Sequence, residues 1–126
     1  MPWANGKCLV WDFTCSHTLA ASFLNRAVLG QSTVACDAER RKLAKYTCLS
    51  TTYTFVPVAI ETIGALGSEA LMLFTDIGHR VRAQTHEPRS FNFLMQRLSV
   101  AVQRGNAACV FGTVPPTARW DDLFYI

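Results

Sequence analysis

Two side chains stand where the residues around them are apolar, and both could do chemistry. Asp12 lies between Trp11 and Phe13 in the segment 7–14, KCLVWDFT. Alternation there puts Leu9, Trp11 and Phe13 on one face of a strand and Val10, Asp12 and Thr14 on the other. An acid in that position is either satisfied by backbone or by Lys42 as a structural ion pair, or it is a metal-binding carboxylate. At a sheet edge, Mg²⁺ would take its oxygen and keep several waters. Lys42 falls near the middle of an apolar helical arc made by Ala35, Ala38, Tyr46 and Leu49, with Lys45 at its rim and Arg40 and Arg41 pointing elsewhere. A lysine on a core-facing arc either snorkels to solvent or reaches a partner in a polar cleft.

Other chemistries find less support. Cys15 and His17 share a strand end, but no acid is placed to orient the histidine, so a cysteine nucleophile lacks its third member. Five cysteines without a CxxC pair argue against both a zinc ribbon and a disulfide framework, and read as buried or half-buried thiols in a reducing compartment. The histidines at 17, 79 and 86 have no metal-ligand spacing, so no zinc is expected. GxGxxG, GxxxxGK[ST] and GxSxG are absent, which leaves a nucleotide cofactor and a hydrolase elbow without a motif. Glu61, beside a glycine-bounded turn, reads as a solvated acid. Arg80, Arg82, Arg89, Arg97 and Arg104 follow the second strand. Arg97 and Arg104, seven apart, share one helix face, either as phosphate contacts or as an ordinary solvated face.

The elements that must position these residues are few. The chain has 126 residues, half of them apolar, and a net charge of +3, which fits one small domain and tolerates a nucleic-acid partner without requiring one. No apolar run reaches the roughly 20 residues of a membrane helix, and no signal peptide opens the chain, so an intracellular protein, nuclear or cytoplasmic and not secreted, is expected. After the strand at 7–14, the pattern predicts helices at 19–29 and 33–49. A strand at 52–60 follows, with Pro57 at an edge or bulge, and then helices at 68–85 and 90–111. Residues 1–112 form the domain and 113–126 a tail that is disordered or laid over the body by Trp120, Phe124 and Tyr125. Two strands make a poor sheet by themselves. The fold class is therefore α/β, a partial mixed sheet flanked by about four helices.

Taken in order, Val10-Trp11-Asp12-Phe13-Thr14, then Ala38-Glu39-Arg40-Arg41-Lys42-Leu43-Ala44-Lys45-Tyr46, then Phe55-Val56-Pro57-Val58-Ala59-Ile60-Glu61-Thr62-Ile63-Gly64 resemble the C-terminal restriction-like endonuclease domain of non-LTR retrotransposon polyproteins, a PD-(D/E)xK variant. The segment 93–107 is also similar to the tail of reverse-transcriptase-related reading frames, and the resemblance spans about residues 3–112. It implies a restriction-endonuclease-like fold in which two acids hold Mg²⁺ and a lysine moved from strand to helix acts on the nucleophile. Carried over, Asp12 is a metal ligand and Lys42 the migrated lysine. Thr14 stands where ordinary members have lysine, and Lys45 and Tyr46 support the site or touch phosphate.

The family's Pro-Asp has no counterpart, since neither Asp nor Glu precedes Asp12. The chain therefore reads as N-terminally truncated. The expectation is a Mg²⁺-dependent nicking domain for double-stranded DNA, weak or inactive for want of its first acid. The alternative is a remnant that binds nucleic acid or protein without catalysis, through Arg40, Arg41, Lys42, Lys45, Arg97 and Arg104. Its oligomeric state is open.

Overall fold

The computed structural model describes residues 2–113. Its centre is a βαβ unit. Strand β1 (Leu9–Ser16) and strand β2 (Thr54–Glu61) are parallel neighbours, with Asp12 opposite Pro57 and Ser16 opposite Glu61. Between them the chain makes a one-turn helix α1 (Leu24–Ala27), the crossover helix α2 (Thr33–Lys45) and a 3₁₀ turn (Thr47–Thr51). Helices α3 (Ser68–Thr85) and α4 (Ser90–Thr113) follow as a hairpin.

Backbone parity decides how β2 tolerates its proline. The Thr54 N–H donates to Cys8 O and the Thr62 N–H to Ser16 O, so even-numbered residues of β2 face β1. Odd ones, Pro57 among them, face outward, where a missing N–H breaks no ladder bond. That outer edge is closed locally: the Glu61 N–H donates to Ala65 O, and the Gly67 N–H to Ala59 O. The antiparallel component of the expected mixed sheet amounts, among the described residues, to two isolated bridges, Ala4–Lys7 and Ile60–Leu66.

Each face of the sheet carries its own core. Ala35 and Ala38 of α2 pack on Ala59, three small residues that let the helix lie close. On the other face Val58 meets Ala70 and Leu73 of α3, with Trp3, Leu9, Val56, Leu66, Phe74 and Ile77 around them. Helix α4 packs on α3, and at their elbow Gly78 lies so near Phe91 that an added Cβ would be 2.9 Å from its ring.

Two helices are shorter than their patterns. The expected helix at 19–29 shrinks to four residues, because Val28 (85% exposed) and Leu29 (77%) find nothing to pack on. Helix α2 stops at Lys45 rather than 49. There the Thr47 hydroxyl donates back to Leu43 O and Ala44 O, which favours the tighter 3₁₀ turn that follows. The tail expected at 113–126 lies outside the described residues, apart from Thr113, which ends α4.

Candidate functional site

Helix α2 runs antiparallel to the strands, as a crossover must. Its first turn lies at their C-terminal ends, where the Ala35 N–H meets Glu61, and its last beside the start of β2, where the Tyr46 ring meets that of Phe55 at a tilt of 57° with centroids 5.1 Å apart. Ala35, Ala38 and Lys42 follow the i, i+3, i+7 spacing of one helix stripe, so the packing of the two alanines delivers Lys42 to the middle of the sheet. The even residues of β1 share that face. Lys42 Nζ therefore meets Asp12 Oδ2 at 2.5 Å, across 30 positions of sequence.

The pair is neither core nor free surface, with Asp12 32% and Lys42 28% exposed at the side chain. The hydrogen bond to Asp12 raises the Lys42 pKa above the ordinary 10.5, its largest cause; partial desolvation opposes this, and the charges of Asp12 and Tyr46 add to it. The folded chain thus holds the lysine proton more tightly than the unfolded chain. Stability from the pair is fully present below 10.5 and is lost as pH rises through the raised value. A Lys42→Met variant should therefore differ from wild type in melting temperature at about pH 9, with the difference narrowing as pH rises above 10.5. A gap that stays constant across that range would show that the ion pair does not stabilise the fold.

The pair has cationic and aromatic neighbours. The Lys45 ammonium lies 5.0 Å from the Tyr46 ring centroid and that of Lys42 5.9 Å. Thr14 is half-buried two residues beyond Asp12 on the same face. The structure thus groups Asp12, Lys42, Lys45 and Tyr46 at one end of α2, with Thr14 one strand step away.

The arginines do not join them. Arg40 pairs with Asp37 at 2.7 Å, and Arg41 donates to Asp37 O while its guanidinium lies over the ring of Phe23, 5.9 Å from the centroid, just before α1. Arg97 and Arg104 belong to α4, which packs against α3 on the other side of the sheet. They and the Asp12–Lys42 pair are two separate surfaces. Four of the five cysteines, 8, 15, 48 and 109, are exposed rather than buried, and Cys36 is half-buried.

Two acids carry structural duties that the sequence reading did not assign. Glu61, expected in solvent, is 2% exposed and accepts bonds from Thr18 Oγ1 at 3.1 Å and the Ala35 N–H at 3.2 Å. It closes the first turn of α2, whose N-cap residue Ser32 makes no side-chain cap. Glu39, 1% exposed, does the same for α3: it accepts from the Glu69 and Ala70 N–H groups, both at 2.9 Å, from the Ala59 N–H at 3.4 Å and from Ser68 Oγ at 3.5 Å. The residue at the N-cap of α3 is Gly67, which has no side chain to offer. In both cases a carboxyl from another element supplies the helix cap. For α3 the sequence signal was Gly67, an N-cap without a side chain; for α2 the sequence pointed to Ser32 or Thr33 as the cap, and Ser32, held in the left-handed region, makes no cap bond.

The acids fit Mg²⁺ poorly. Glu61 is four residues beyond Asp12's partner Pro57, about 13 Å along the strand, and its oxygens are already bonded. Glu39 is enclosed by its donors. Asp12 is partly exposed and already paired with Lys42, and among the described residues no three His, Cys, Asp or Glu side chains converge. One chain therefore presents a single carboxylate where a two-acid centre needs two. None of the described helices is long and apolar enough to cross a membrane. No protein-family model, curated protein or solved structure matches this chain.

Proposed function

We propose that this chain is a DNA-nicking endonuclease domain of retroelement type that carries one acid and the lysine of its centre. In this reading it binds duplex DNA and retains at most residual Mg²⁺-dependent cleavage. One observation carries it: a helix lysine meets a mid-strand acid 30 positions away, the juxtaposition that the resemblance to restriction-like endonuclease domains implies. A partly exposed ammonium held by a carboxylate can exchange that partner for a phosphate oxygen, and Lys45 stands one turn further along the same rim. Asp12 keeps the lysine extended across the sheet face until a phosphate arrives.

The test is conversion of supercoiled plasmid to open circle with and without Mg²⁺. Wild type should give slow nicking or none, and any nicking should vanish in both Asp12→Ala and Lys42→Ala. Brisk nicking that survives both changes would place the active centre elsewhere.

The structural use of Glu39 and Glu61 favours a second reading, a non-catalytic binding module. It calls for a metal-independent gel shift that weakens with salt and is indifferent to Asp12→Ala. The absence of any shift at low salt would remove it.

A further inference from the structure

We propose that the open edge of β1 is the docking surface for a second copy of this chain, paired antiparallel about Asp12, so that the acid–lysine pairs of both copies meet at one two-fold axis. The inference is independent of the DNA reading.

Parity defines the edge. Even residues of β1 bond β2, so the N–H and C=O groups of Leu9, Trp11, Phe13 and Cys15 point outward, and the sheet ends there among the described residues. Their side chains lie on the face that α3 covers, beside Val56 and Val58. Leu9 reaches that core, but Trp11 is 59% and Phe13 52% exposed, so the apolar layer runs past the rim of the helix. Among the described residues the outward positions hold no proline, lysine or other charge, and the one inward-facing charge of the strand is Asp12, which Lys42 pairs.

The register follows from the same residues. An antiparallel copy can pair outward residues only with outward residues. Leu9, Trp11, Phe13 and Cys15 are centred on Asp12, so only a two-fold axis at Asp12 gives all four a partner: Leu9 with Cys15, and Trp11 with Phe13, each twice. The aromatic rings then form one continuous strip across the interface.

Charge decides whether that register is tolerable. Two Asp12 side chains would face each other in a non-hydrogen-bonded pair, with Cα atoms about 4.5 Å apart, an arrangement that like charges oppose. Each arrives with its own Lys42, so the axis holds two acids and two lysines in alternation. A second copy is thus complementary in charge as well as in edge. The two rings bury roughly 200 Å² per chain, about a quarter of the ~800 Å² of a stable interface. With the strand backbone added, the dimer should be weak and concentration-dependent.

Sedimentation equilibrium of the full chain over the micromolar range should show mass rising from 14.0 kDa toward twice that value. Phe13→Lys, an exposed position, should remain at the monomer mass with an unchanged melting curve. Register is read by oxidation in a background with Cys8, Cys15, Cys48 and Cys109 changed to serine. The double variant Val10→Cys/Thr14→Cys, whose two positions face each other across the axis and leave the Asp12–Lys42 pair intact, should form a covalent dimer, whereas Val10→Cys and Thr14→Cys alone should not. A wild-type chain that stays monomeric, a Phe13→Lys chain that still dimerises, or a covalent dimer from either single variant would overturn the proposal.

Discussion

Replacing Glu39 by alanine should remove about 3–5 kcal/mol of stability, a large part of the roughly 5–15 kcal/mol that holds a domain of this size. The loss comes from what remains behind. The N–H groups of Glu69 and Ala70, the first turn of α3, would lose their acceptor in a buried place, as would that of Ala59 on the outer edge of β2. Each buried donor left unmade costs about 1–3 kcal/mol, and the vacated side-chain volume adds to it. Glu39→Gln keeps one carbonyl acceptor and should cost about half as much. Urea unfolding of the three proteins reads this directly. If Glu39→Ala costs less than about 1 kcal/mol, the carboxyl does not cap α3.

Gly67→Ala should cost about 2–4 kcal/mol for a reason unrelated to glycine's backbone freedom, since its φ of −68° suits any residue. An added Cβ would fall inside the contact radius of Glu39 Cδ and both of its oxygens. A carboxyl at the end of a side chain can usually swing aside, but this one is buried and bonded to four donors, so moving it breaks the cap. The two substitutions should therefore be strongly non-additive. In a Glu39→Ala background the space is open, and Gly67→Ala should add little. A double mutant whose losses simply sum would contradict direct packing of Gly67 on Glu39.

These two positions mark where the sequence was legible and where it was not. The strands and their faces could be read from alternation, a local consequence of the pleat, and the edge placement of β2 from the N–H that Pro57 lacks. Helices α3 and α4 could be read from apolar stripes of 18 and 24 residues, long enough to outweigh local exceptions. The meeting of Asp12 and Lys42 was foreseeable as well, since a lone acid and a lone lysine stood on the two apolar surfaces that a crossover must bring together.

The caps were not legible. Glu39 stands in a run of charged residues, Glu39-Arg40-Arg41-Lys42, where every neighbour argues for solvent. Only the closeness of Gly67, 28 residues later, encloses it. Glu61 follows an apolar strand and precedes a turn, the setting of a solvated acid, but the helix end above it needed an acceptor. The early end of α2 turned on one threonine hydroxyl, which a sum of propensities does not register.

The separation of the two basic surfaces also required the fold. Arg97 and Arg104 look continuous with Arg40 and Arg41 in a charge count, but α2 and α4 lie on opposite sides of the sheet, and α2 meets the hairpin only at the first turn of α3. A duplex engaged by Lys42 and Lys45 therefore meets a different side of the molecule from one engaged by α4.

That division makes one measurement the most direct test of the proposed site: fluorescence anisotropy of a labelled DNA duplex titrated with the full chain at several salt concentrations. Wild type should bind more weakly as salt rises. Lys42→Ala should lower the slope of log K against log salt by about 1, and Arg104→Ala should change it less. If Lys42→Ala and Lys45→Ala titrate like wild type at every salt concentration, the Asp12–Lys42 pair is an ion pair of the fold and not a DNA contact.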